Sequence, residues 1–143
     1  MATPAKHWQR EGHSTVNSWI VADGAQKVID FMTEVLKAHT LYRMLSDDKQ
    51  TVMHASLKIG DTVVMIQDGN KETSAFPTWL YVYVEDVDKT YELAVSKGLE
   101  SVREPKDECY GDRMAGVKDS AGNTWWIATH KFNPVCPDKK CDE

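Results

Sequence analysis

The chain has 143 residues, 41% hydrophobic and 27% charged, enough apolar material for one compact domain or two small fused modules. A net charge of −5, with no run of Lys and Arg, speaks against a nucleic-acid partner. The longest apolar stretches are strand-length, far below the ~20 residues that cross a bilayer, so no membrane partner is expected.

Residues 1–13, "MATPAKHWQREGH", read as an N-terminal arm. They contain no apolar core of a secretory signal, and a cytoplasmic address is the expectation. Residues 14–69 read as strand, helix and three further strands. Val16 to Ala22 is strand-like, and Asp23 stands as a helix N-cap with Gln26 in the capping-box position. Ala25, Val28, Ile29, Met32 and Leu36 then recur at helical spacing on one face. "TLYRML", "VMHASLKI" and "TVVMIQ" are strands, the last two joined by a two-residue Gly60-Asp61 turn. That turn length sets His54 across from Gln67.

Residues 70–77, polar and closed by Pro77, form a linker. Residues 78–131 then repeat the first pattern. "TWLYVYVE" alternates cleanly, with Leu80, Val82 and Val84 on one face and Trp79, Tyr81 and Tyr83 on the other. A helix packing back on its own sheet needs the aliphatic face, which leaves the aromatic face to line something else. Asp86 or Asp88 caps the second helix and Gly98 ends it. "LESVREP", "DRMAGVKD" and "TWWIATH" complete the module. Residues 132–143 form a C-terminal tail in which Cys136 and Cys141 make at most a zinc half-site without a companion pair. Cys109 is a candidate thiol, blunted by the acidic Asp107, Glu108 and Asp112.

The paired modules, with "GDRMAGVKDSAGNTWWIATH" closing the second, resemble the vicinal oxygen chelate superfamily of glyoxalase I, bleomycin-resistance proteins and extradiol dioxygenases. The resemblance is strongest in the branch named glyoxalase/bleomycin-resistance-like or demethylubiquinone-methyltransferase-like. It implies an α+β fold of two βαβββ modules, with a cupped mixed sheet inside and helices outside, and a homodimer. In metalloenzyme members it further implies a divalent metal held by His, Gln or Glu. The corresponding positions fall near Val16 or Asn17, near Val64 or Met65, at Trp79 and at Trp126. Indole offers only a donor N–H, and valine and methionine do not suit a hard cation. The usual metal site is therefore expected to be absent, with no cofactor.

If Trp126 points into the cavity, Trp125 points into the core, and alternation brings His130 to the cavity rim. Trp79, Tyr81, Tyr83 and Trp126 would then suit a flat aromatic or cationic ligand. A four-residue "SAGN" turn would set Arg113 across from His130, able to hold a carboxylate or phosphate, or equally to pair with Asp112, Glu108 or Asp119 and fix the loop. The leading expectation is a metal-independent protein that sequesters a small molecule, with Trp79, Tyr81, Tyr83, Trp126, His130 and Arg113 as its contacts. The alternative is an isomerase, lyase or dioxygenase of a vicinal-oxygen compound. It would use His130 or His54 as base, or a divalent metal on His54, Gln67 and His130. A third reading has the aromatics merely filling a core.

Overall fold

The structure, a computed structural model, describes residues 1–134, so Cys136 and Cys141 lie outside the described residues. The first module runs β1 (Ser18–Ala22), α1 (Ala25–Glu34), β2 (His39–Leu45), β3 (Val52–Ile59) and β4 (Thr62–Asp68). The second runs β5 (Trp79–Tyr83), α2 (Val87–Ser96), β6 (Glu100–Asp107), β7 (Asp112–Lys118) and β8 (Thr124–His130). Each module is a four-stranded mixed sheet, ordered β1-β4-β3-β2 and β5-β8-β7-β6. Within each, the first strand runs parallel to the last and the other pairs are antiparallel. Two βαβββ modules are thus present, as the repeat predicts. No helix among the described residues is long and apolar enough to cross a membrane.

Local chemistry explains most element ends. The Gly60-Asp61 turn has two residues, since Ile59 pairs with Thr62. Asp86 caps α2, its side chain accepting from the Lys89 N–H at 3.1 Å. At α1 the expected cap is corrected. Asp23 does not cap; the N-cap is Gly24, in the left-handed region at φ 78° with no side-chain cap of its own. Asp68, at the end of the parallel neighbour β4, does the work from a distance. Its Oδ1 accepts from the Gly24 and Ala25 N–H groups at 3.1 and 2.8 Å, and its Oδ2 from the Val52 N–H at 2.7 Å. Gln26 is drawn elsewhere, to Asp30 and Arg43.

The helical face Ala25, Val28, Ile29, Met32 and Leu36 is buried as expected, joined by Phe31 and Val35. Those two widen the stripe, and the extra width meets the other module. Phe31 packs edge-on against Trp125 of β8, ring centroids 5.3 Å apart. Such a pair contributes about 0.5–1.5 kcal/mol beyond its area. One continuous core therefore joins the helix-covered sides of the two sheets. Glu34 of α1 and Lys97 after α2 flank the seam at 3.8 Å.

The Trp125 indole N–H is satisfied inside this core, donating to Asp119 Oδ2 at 2.8 Å. Asp119 also receives the Ala121 and Asn123 backbone N–H groups and the Asn123 amide. Asn123 in turn accepts from the Thr78 N–H at 3.0 Å, tying this turn to the start of β5. Because the helix-covered sides are used up in the shared core, the opposite sheet faces are the exposed ones. Trp79 is 74% exposed and Tyr83 63%.

Candidate functional site: the open face of the second sheet

Pairing across β5, β8, β7 and β6 sets the open face out in rows. Tyr81, Trp126, Gly116 and Arg103 form one row; Tyr83, Ala128, Met114 and Lys106 form the next. His130 and Asp112 end the face together. Trp125 lies on the opposite, core side, so the adjacent tryptophans divide between core and open face as strand alternation requires.

An aromatic strip runs along β5 and β8 across these rows. Trp79 meets Trp126 edge-on at 5.4 Å, and Tyr81 meets Tyr83 edge-on at the same spacing. Gly116 permits the strip to lie flat, because a Cβ there would come within 2.6 Å of the Trp126 ring. Beyond it the Arg103 guanidinium lies 5.9 Å from the indole centroid, a cation–π contact. Arg103 Nη2 donates to the Met114 carbonyl at 3.2 Å and stands 2.6 Å from Glu108 Oε1.

The second centre is Asp112, a carboxylate only 4% exposed. Its Oδ2 accepts from the Tyr81 and Tyr83 hydroxyls at 2.6 and 2.9 Å, and its Oδ1 lies 2.7 Å from His130 Nδ1. Burial works against the charge, but the bonds from Tyr81, His130 and Tyr83 outweigh it and hold Asp112 below the usual carboxylate range. His130 Nε2 lies 2.8 Å from Asn133 Oδ1. With oxygen acceptors at both nitrogens, the ring is suited to the imidazolium, which donates twice. The Asp112 bond, then that to Asn133, raises the His130 pKa. Burial and the bond to Asp112 push the Tyr81 phenol up, and that bond followed by burial raises Tyr83. Backbone bonds from Lys131 and Phe132 to the Gly111 carbonyl fold the chain after β8 back beside Asp112 and bring Asn133 within reach. Gly111 is required there: its φ is 102°, and a Cβ would collide with the Phe132 carbonyl.

Trp79, Tyr81, Tyr83, Trp126 and His130 thus share one face. Arg113 does not, and its expected pairing is corrected. The β7–β8 connection holds five residues, Asp119 to Asn123, with Lys118 opposite Thr124. One residue more than "SAGN" moves the register by one and turns the neighbouring side chain to the other face. Asp112 therefore faces His130, and Arg113 faces Thr129 on the helix side. There its guanidinium binds Asp88 of α2 through Nε and Nη2 at 2.9 and 3.0 Å, and Asp107 at 3.2 Å. Those bonds raise the Arg113 pKa and lower that of Asp88.

His54 and Gln67 belong to the other sheet. His54 pairs opposite Met44 and lies 3.2 Å from Ser56 Oγ, while Gln67 Oε1 accepts from the Trp19 indole at 3.1 Å. Within one chain, His54 and Gln67 thus stand in a different sheet from His130 and keep separate partners. Among the described residues no three His, Cys, Asp or Glu side chains converge to hold a metal ion. The positions that the resemblance marks for ligands present indole at Trp79 and Trp126 and a thioether at Met65. This donor set does not fit a divalent metal. Cys109, a candidate thiol blunted by its acidic neighbours, is instead disulfide-bonded.

Reading the sequence missed Arg103, Gly116 and Asn133 altogether and took Asp112 only as an acidic neighbour of Cys109 and Arg113. A glycine in an otherwise regular strand was the one available signal, marking a close approach at position 116.

Comparison with known proteins agrees with this architecture. The family model described as glyoxalase/bleomycin resistance protein/dioxygenase superfamily matches residues 12–127. An uncharacterised protein of Mycobacterium bovis is 30% identical over 117 residues, which is 74% of this chain and 76% of that one. An uncharacterised Mycobacterium tuberculosis protein matches at the same identity, over 74% of this chain and 68% of its own. TioX of a Micromonospora species superposes with a TM-score of 0.64 at 23% identity, covering 80% of this chain and 98% of that one. The fosfomycin resistance protein FosX of Listeria monocytogenes does so with a TM-score of 0.64 at 11% identity, over 83% and 93%. At these identities the solved structures establish the fold alone. With the family model spanning most of the sequence, the chain belongs to the glyoxalase/bleomycin resistance protein/dioxygenase superfamily.

Proposed function

We propose that the chain is a metal-independent small-molecule-binding protein that sequesters a flat aromatic ligand on the open face of its second sheet. The observation that carries this reading is the strip of exposed Trp79, Tyr81 and Tyr83 with half-buried Trp126 beside them, all on the side of the sheet away from the packed core. A filler role would leave these rings buried against the chain's own side chains, as Trp125 is.

The enzyme alternative draws less support. His130 engages oxygen acceptors through both ring nitrogens and its pKa is raised, so it does not begin as a free base. His54 has Ser56 as its partner, and no acidic group among the described residues orients it.

The same exposure supports a homodimer. Trp19, Tyr42 and Met44 on the first sheet, with Trp79, Tyr81 and Tyr83 on the second, are all exposed. Contiguous apolar faces of this kind mark interaction surfaces. A second copy over these faces would turn the strip into the wall of an enclosed cavity.

Tryptophan emission during titration with flat aromatic compounds tests the binding reading. Stoichiometric saturation without product, weakened by Trp126→Ala and Trp79→Ala, is the expected result. Steady turnover lost with His130→Ala would replace it with the enzyme reading.

A further inference from the structure

We infer that the ligand of this face is a planar aromatic anion, its ring on Trp126 and its oxyanion against Arg103. The inference rests on the binding reading above and adds the sign of the ligand's charge, which the aromatic strip alone leaves open.

The charges of the face argue for an anion. Arg103 stands at the end of the Trp126 row, and the register sets Lys106 beside Met114 in the next row. His130 lies at the rim with Asp112 as its partner. Two carboxylates of this region, Asp112 and Glu108, already have partners. Asp112 is covered by Tyr81, Tyr83 and His130, Glu108 is paired with Arg103, and Glu100 has Lys118 opposite it. A cationic ligand lying on Trp126 would meet the cations Arg103 and Lys106.

Arg103 is also incompletely satisfied. Its Nε is buried without a hydrogen-bond partner, and Glu108 Oε1, though 2.6 Å from Nη2, receives no aligned hydrogen bond. An unpartnered buried donor is unfavourable, whereas a guanidinium meeting a carboxylate through two parallel N–H bonds is among the strongest neutralising contacts a protein makes. A ligand carboxylate in the plane of an arene on Trp126 would offer the acceptor geometry that Glu108 does not. The Arg103 side chain is 36% exposed, enough to be reached from the open face.

Three probes of nearly equal shape separate the possibilities: naphthoate, naphthamide and naphthylmethylammonium, titrated into the full chain by tryptophan emission. The expected order is naphthoate first by roughly tenfold over naphthamide, the gain of a charge-assisted over a neutral hydrogen bond, with the cation weakest. Arg103→Gln is expected to weaken naphthoate more than naphthamide and so to abolish the roughly tenfold preference. Equal affinity for all three probes would overturn the inference and leave the binding reading standing. So would a naphthoate preference that survives in Arg103→Gln. Failure of every probe to bind would remove both. Should Arg103→Gln lose naphthamide as well, Arg103→Lys decides: a retained preference for naphthoate supports the inference, and equal affinities overturn it.

Discussion

Gly116 lies directly beneath the indole of Trp126, paired with it across β7 and β8, with room for a hydrogen and none for a methyl group. Alanine ordinarily improves a strand position by about 0.5–1 kcal/mol over glycine. Here the added Cβ meets a rigid ring at 2.6 Å, and overpacking of that kind costs about 1–3 kcal/mol. The clash outweighs the backbone gain. Gly116→Ala is expected to lower stability in urea, to lift Trp126 off the sheet and away from Arg103, and to alter the emission spectrum. A variant as stable as the parent with unchanged emission would show that the ring does not lie on the strand.

The His130–Asp112 pair predicts a stability plateau bounded on both sides. His130 is raised, so its contribution is complete below the ordinary imidazole pKa and fades as pH climbs through the raised value. Asp112 is lowered, so its contribution is complete above the ordinary carboxylate pKa and fades as pH drops through the lowered value. Thermal melts from about pH 3 to about pH 10 span both limbs. In His130→Gln the alkaline limb assigned to this histidine should flatten while the acid limb persists. If the alkaline limb keeps its full depth, the histidine is not its source.

Asp112→Asn separates the tyrosines from the histidine. The amide keeps the shape of the carboxylate but not its charge, and removing a charged partner from a buried site costs about 1–3 kcal/mol. The Tyr81 and Tyr83 hydroxyls both donate to this one carboxylate oxygen, which raises Tyr83 foremost and Tyr81 after burial. Ultraviolet titration of phenolate formation should therefore show two tyrosines ionising at lower pH in the variant than in the parent. Overlapping titration curves would mean that neither hydroxyl depends on Asp112.

How much of this was legible beforehand follows from the physical range of each signal. Period-two alternation in "TWLYVYVE" and the adjacent Trp125 and Trp126 are local patterns, and they assign faces correctly without tertiary information. Register is less forgiving. Counting Ser120 to Asn123 as the turn, rather than Asp119 to Asn123, exchanges Asp112 for Arg113 on the open face, because strand periodicity leaves no intermediate. Asp119 joins the turn because its carboxylate gathers the turn amides and the Trp125 indole, a non-local network no spacing rule contains. Arg103 was illegible for a related reason. It lies on β6, where two register irregularities break the alternation that would have assigned its face.

The cap of α1 provides the sharpest contrast between a local and a non-local reading. Local rules nominate Asp23, which is exposed and does not cap the helix. The structure nominates Asp68, which accepts from Gly24 and Ala25 at the helix start and from Val52 on β3. Losing a helix cap costs about 0.5–2 kcal/mol, and leaving a buried N–H such as that of Val52 unpartnered costs about 1–3 kcal/mol. Asp68→Ala should therefore destabilise the protein by about 1.5–5 kcal/mol in chemical denaturation, the two losses taken together. Asp23→Ala should stay within about 0.5 kcal/mol of the parent, as exposed positions without special contacts do. The two variants remove the same chemical group from positions separated by one helix start, so their difference isolates the cap. Equal losses would return the role to Asp23 and place the α1 boundary under local control.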